Sequence, residues 1–383
     1  MCIRDSLLPS PAAPEAGPDI RLLSARKLVA HIDGGGKMQI RQALEAAGTD
    51  VFLDAATVRG LLPELETKDT RCTFSGVVAL SYAWVTPADP DPQRAQLQAL
   101  RPVLVWWMCE RARRKVGYAG AGFADVTMQT ADFGVFIDFM SMFQPDAGAP
   151  GAYKKPAEAA SFGRALANIG LLYGHAGTTV FKASATPLPA GGDPMRVYEK
   201  RGWTHLERRL GDLEAPTLNS LDVAAWPTAE AERAAREKVY MYHEEATAAQ
   251  RGPPQLRESE EELAAQGDHT MTNSPGTLGA LIRGGGRGAP VSPEHFEEEL
   301  KEKVFSFDSD RTVCAGLYRG VAEPLLAAVE VLRFEGLAWT AADWRHMGGA
   351  LACCTKLRVL YLQYLSLIHI SEPTRPRLIS YAV

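Results

Sequence analysis

Short apolar runs without polar alternation, separated by stretches of helical spacing, set the pattern of this chain. Val77-Val78-Ala79-Leu80 is one such run, continuing through Ser81-Tyr82-Ala83-Trp84 into a Pro/Asp turn. Val135-Phe136-Ile137 is a second, closed by Asp138, and Thr178-Thr179-Val180-Phe181 a third. Runs of this length, rich in β-branched and aromatic residues, predict strands buried on both faces. Between them, Asp91 followed by Pro92 predicts a helix start, with Leu97, Leu100, Leu104, Trp107 and Met108 on one face and a kink at Pro102. A second helix is predicted over 155–173, where Phe162, Leu166, Ile169 and Tyr173 share a face, and a third over 199–210. Strands alternating with helices predict an α/β domain, a parallel sheet flanked by helices. An open sheet of this kind places its ligand at the carboxyl ends of the strands. Ser81 to Trp84, Asp138 and the turn after Phe181 are therefore the expected site.

The same pattern divides the chain. Residues 1–6 stand apart for the reason given below. Residues 7–75 read as a Pro- and Ala-rich lead-in and a small α+β cap, and 76–221 as the α/β domain. Residues 222–303 read as charged helices around a flexible linker, the linker being 251–292, with Ser292-Pro293 starting a further charged helix. In 304–364, Val329 and Leu357, Leu332 and Leu360, and Phe334 and Leu362 are each 28 residues apart. That period falls within the roughly 20–29 residues of leucine-rich repeats and predicts the start of an α/β solenoid, with the helix of each unit in 340–356.

Composition narrows the function classes. Hydrophobic residues make up 46% and charged residues 23%, as in ordinary globular domains. The net charge of −5 becomes −6 for 7–364, because the terminal segments together carry one positive charge. A chain of that sign lacks the basic face that nucleic-acid binding needs. The local patch Arg111-Ala-Arg113-Arg114-Lys115 reads as a solvated helix end. The cysteines outside the first six residues, Cys72, Cys109, Cys314, Cys353 and Cys354, form no C-x-x-C pair, which predicts a reducing compartment without a disulfide framework or zinc site. No apolar run is long enough to span a bilayer, so a cytoplasmic protein is expected.

Three segments carry a family resemblance. Val78-Ala79-Leu80-Ser81-Tyr82-Ala83-Trp84, then Phe136-Ile137-Asp138-Phe139-Met140-Ser141-Met142-Phe143-Gln144, then Arg201-Gly202-Trp203-Thr204-His205-Leu206-Glu207 resemble, in order, the motifs of the HET (heterokaryon-incompatibility) domain, a distant relative of TIR domains. Met142 or Ser141 stands where the family has Cys, Val85 where it has Gly, and no Gln precedes Glu207. The resemblance implies a TIR/HET-like sheet. The W-x-x-x-E spacing of Trp203 and Glu207 implies that Glu207 is the catalytic acid of an NAD-cleaving hydrolase. Ser81, Tyr82, Trp84, Asp138 and Trp203 would line the pocket, with Trp203 holding the carboxylate in place. NAD enters as substrate, and neither a cofactor nor a metal is expected. The alternative is a non-enzymatic scaffold in which the α/β domain self-associates. The 28-residue period resembles ribonuclease-inhibitor-type repeats, implying protein-partner binding. Finally, Met1 to Ser6 and residues 365–383 resemble translated sequencing adapter, so the fold is expected from 7–364, a stretch cut at both ends.

Other motifs are expected to be inert. Asp33-Gly34-Gly35-Gly36-Lys37-Met38 lacks the first Gly and the final Ser/Thr of a phosphate loop and reads as a turn. Gly284-Gly285-Gly286-Arg287-Gly288 reads as linker, Tyr242-His243-Glu244-Glu245 lacks the second His of a zincin, and His175 and His205 have no companions at ligand spacing.

Overall fold

A computed structural model describes residues 3–9, 17–66, 75–86, 88–119, 131–145, 155–188, 190, 192–213, 220–226, 287–334, 337 and 339–362. The charged stretch 227–250, the linker 251–286, Cys72 and residues 365–383 lie outside the described residues. Helices are α1 Ile3–Leu7, α2 Ala25–Asp33, α3 Arg41–Ala46, α4 Ala55–Glu66, α5 Ala95–Ala119, α6 Asp138–Ser141, α7 Pro156–Gly174, α8 Gly202–Gly211, α9 Pro293–Lys301, α10 Ser309–Ala328 and α11 Ala341–Leu351. Strands are β1 Leu23–Ser24, β2 Val77–Tyr82, β3 Gly134–Phe136, β4 Thr178–Ala183, β5 Ser220–Asp222, β6 Val331–Arg333 and β7 Val359–Tyr361.

The fold is mixed α/β. Five strands form a sheet in the order β1-β3-β2-β4-β5, parallel except for β1, which runs antiparallel to β3. All six residues of β2 and of β4 are buried, which is why neither run alternates with polar residues. Val78, Leu80 and Phe181 share one core with Leu97, Leu104 and Trp107 of α5 and Leu28 of α2. Val77, Ala79 and Val180 share the other with Tyr173 of α7 and Leu206 and Leu210 of α8.

Several boundaries differ from the sequence reading for local reasons. The carboxylate of Asp91 accepts from the amides of Gln96 (3.1 Å) and Leu97 (2.9 Å), so it caps a helix that starts at Ala95, with Pro92 still in the preceding turn. Arg111, read as part of a solvated patch, is buried with its guanidinium over Phe133. The stretch 199–210 is not one helix. A 3-10 turn, Tyr198–Lys200, precedes an extended Arg201, which bridges to Val304: Val304 N donates to Lys200 O (2.8 Å) and Gly202 N to Val304 O (3.1 Å). The expected adapter-like head also folds. Ser6 and Leu7 are 2% exposed and Ile20 N donates to Ser6 O (2.9 Å). A short helix tethered beside an apolar face buries its own apolar side whatever its origin.

The expected linker ends earlier than 292. Ala289 and Val291 are fully buried, and Arg287 donates to the carbonyls of Asp212, Leu213 and Arg333 while its guanidinium stacks on Phe334. Nor does 304–364 stand apart, because Tyr318, Leu326, Leu332 and Phe334 share the core of Val77, Ala79 and Val180. Within it, β6 and β7 pair in parallel, Val331 with Val359, Leu332 with Leu360 and Arg333 with Tyr361, each pair 28 residues apart. With α11 as the crossover this makes one β-α-β unit. It is not a solenoid among the described residues.

Candidate functional site

Helix α8 is the centre of the site because it is covered on two sides. It meets α7 and the strands β2 and β4 inward, and α10 outward. Thr204, His205, Leu206, Glu207, Arg209 and Leu210 are consequently all buried, although most are polar. The helix opens on Gly202, whose missing side chain leaves room for the Phe305 ring. Gly202→Ala is expected to force Phe305 and the following turn outward, at about 1–3 kcal/mol, read as a lowered midpoint in urea unfolding.

The outward residues of α8 hold the C-terminal helices. Trp203, expected to fix the Glu207 carboxylate, instead donates its indole N–H to Asp310 of α10 (3.0 Å). His205 Nε2 donates to Glu299 Oε2 of α9 (2.9 Å), and its ring stacks on Phe296. Arg209 closes on the same carboxylate with two bonds, Nε to Oε2 at 2.9 Å and Nη2 to Oε1. Arg209 and His205 hold Glu299 down at about 2 against the opposing effect of burial, and burial pushes His205 down to about 4. At neutral pH this contact is therefore a guanidinium and a neutral imidazole on one carboxylate. A cleft of about 240 Å³ runs along this seam, lined by Tyr198, Glu199, His205, Arg208, Arg209 and Glu299 among others, and Glu207 is not in its lining.

Glu207 points the other way, into the protein. It is 6% exposed and lies against Ser81 at the carboxyl end of β2 and Tyr173 of α7. Tyr173 donates its hydroxyl proton to Leu80 O (2.8 Å), so toward Glu207 its oxygen can only accept. Ser81 Oγ is 2.8 Å from Tyr198 Oη. Oε2 of Glu207 is buried and has no hydrogen-bond partner among the described residues. Burial, reinforced by the nearby charge of Asp138, holds the Glu207 carboxyl well above its ordinary value of 4.5, and no cation is among the groups that shift it. A neutral carboxyl fits its surroundings, since it can donate where Tyr173 accepts.

Asp138 follows β3 and completes the cluster. Its Oδ1 accepts from Tyr82 Oη (2.7 Å) and from Phe139 N (2.6 Å), Trp84 hydrogen-bonds to it, and burial raises its carboxyl. Trp84 sits edge-on to Phe139 at 5.1 Å between centroids. The structure thus gathers Ser81, Tyr82, Trp84, Asp138 and Glu207 around the ends of β2 and β3 and leaves Trp203 on the far side of α8. Sequence reasoning missed Tyr198 and took Tyr173 for a core face residue. A hydroxyl at the end of an apolar stripe has no signal in the sequence until its neighbours are known. It also missed Lys182, the register partner of Ser81, whose buried amine is lowered to about 8 by desolvation against the pull of Asp212. The third apolar run had been closed one residue before it, at Phe181.

The Asp33–Met38 segment is a turn after α2, with Arg94 bonded to Gly36 O. Among the described residues Cys109, Cys314, Cys353 and Cys354 are thiols, and no helix is long and apolar enough to cross a membrane. No family model, curated protein or solved structure matches the chain.

Proposed function

We propose that this is a HET/TIR-like signalling protein of the cytoplasm whose strand-end cluster cleaves NAD or a related nucleotide, with Glu207 essential. One observation carries the reading: a buried carboxyl with an unpartnered oxygen, at the carboxyl ends of parallel strands and without a cation among the groups that shift it. NAD brings the positive charge. Its pyridinium ring, and the oxocarbenium character that develops at the ribose, would draw Glu207 into its ionised form and be stabilised by it. The ribose–nitrogen bond breaks, nicotinamide leaves with the electron pair, and water adds at the ribose carbon with loss of a proton. Asp138, Tyr82 and Ser81 supply hydroxyl-binding groups beside it.

A second reading has its own support. Gly202, Trp203 and His205 of the third motif, and Arg209 just after it, all engage 293–310, and the 240 Å³ cleft excludes Glu207. The motif then serves to dock helices. The domain would be a self-associating scaffold, with the β6–α11–β7 unit beginning a leucine-rich repeat array that binds a protein partner. Incubation of the full chain with NAD separates the two. Nicotinamide release abolished by Glu207→Gln supports the enzyme. Release unaffected by that substitution rejects the role of Glu207, and no release with concentration-dependent sedimentation supports the scaffold.

A further inference from the structure

Helices α9 and α11 bring two histidines and a glutamate together outside the strand-end cluster. His295 and Glu299 are one turn apart on α9, and His346 lies on α11. One ligating atom from each lies within 4.8 Å of the others. His295 Nε2 is 3.9 Å and His346 Nε2 3.7 Å from Glu299 Oε1, too far for hydrogen bonds. The two imidazoles lie 4.6 Å apart between centroids, tilted 54° to one another. His346 Nδ1 is buried and has no hydrogen-bond partner among the described residues.

We propose that His295, Glu299 and His346 bind a divalent d-block cation of the zinc class, clamping α9 to α11 and leaving one coordination position open. Metal–nitrogen and metal–oxygen bonds of about 2.0–2.2 Å place tetrahedral neighbours roughly 3.3–3.5 Å apart. The two separations from Glu299 Oε1, 3.9 and 3.7 Å, need to contract by about 0.2–0.6 Å to reach that spacing, which side-chain rotation supplies. Two imidazoles in a set of three argue against magnesium or calcium, which take oxygen ligands. Glu299 is already oriented, because Arg209 and His205 hold its Oε2 and leave Oε1 toward the histidines. This is the support that outer-shell groups give a metal-bound carboxylate. The Arg209 Nη2 bond to Oε1 competes for the same atom and weakens the site without closing it, since a carboxylate oxygen has two lone pairs.

The site is independent of Glu207 and of NAD cleavage. The full chain, freed of metal, is titrated with Co²⁺ as a spectroscopic probe and then with Zn²⁺. The expected result is a visible ligand-field band that saturates at one Co²⁺ per chain and is displaced by Zn²⁺. In His295→Ala and His346→Ala the affinity falls by more than about 100-fold, because a direct ligand matters more than the outer-shell groups whose loss costs 10–100-fold. His295 is half exposed, so its variant keeps the fold, and Zn²⁺ is expected to raise the melting temperature of the parent but not of this variant. Absence of a band, or a band that survives in both variants, overturns the proposal.

Discussion

Glu207→Gln raises the stability of the fold at neutral pH, and the gain widens as the solution is made more alkaline. The folded protein holds this carboxyl well above 4.5. Between the ordinary value and the raised one, the unfolded chain has lost the proton and the folded chain still carries it. Stability therefore falls as pH rises through that window, by about 1.4 kcal/mol per pH unit. Glutamine keeps the volume, cannot ionise, and can donate its amide hydrogens to Tyr173, so the slope disappears. Urea midpoints of both proteins between about pH 5 and pH 8 measure it; parallel curves would mean that Glu207 is ionised and solvated. The result bears directly on function. A substitution that strengthens the fold and abolishes NAD cleavage identifies a group kept for chemistry at the expense of stability. One that strengthens the fold and changes nothing else leaves a polar group buried by accident of packing.

Arg209→Met is expected to have the largest destabilising effect. It keeps the apolar stem but removes the guanidinium from Glu299, whose side chain is 17% exposed. Breaking a buried pair from one side leaves the other charge uncompensated, at about 3–5 kcal/mol. The pH dependence changes with it. Glu299 is held at about 2, so its contribution is complete above 4.5 and is lost as pH falls toward 2. His205, pushed to about 4, adds a contribution that is complete above 6.5 and lost as pH falls through 4. Acid therefore erodes the parent in two stages, and the part of the lower stage that Arg209 supplies vanishes in Arg209→Met, while the part supplied by the His205 bond remains. Unfolding midpoints followed from neutral pH to about pH 2 would show it; an unchanged midpoint at neutral pH would mean that water already compensates Glu299.

The strands that organise the site were legible because their apolar runs are long for their setting. Val77–Tyr82 and Thr178–Ala183 are buried on both faces, and burial of that kind leaves a continuous signature. The edge strands Leu23–Ser24 and Ser220–Asp222 are too short to leave one. The spacing between Leu332 and Leu360 was equally legible, since one crossover fixes the distance between paired strands. The role of Trp203 was misread because helical spacing places Trp203 and Glu207 near one another without saying what lies beyond each. Residues 287–292 were read as the end of a linker from the glycines and prolines of 251–292. Composition cannot show that Arg287 would find three carbonyls and an aromatic face.

The sequence by itself determined the alternation of strand and helix, the strand ends near Ser81 and Asp138, and the period that pairs β6 with β7. These follow from local periodicity, in which each residue's environment repeats along the chain. Only the tertiary structure decided that α8 would be covered on both sides, which buries Glu207, raises its carboxyl and engages its neighbours with α9 and α10. It likewise decided that His346 would meet His295 and Glu299. Desolvation and ligand geometry depend on groups far apart in the chain, and no local pattern encodes them.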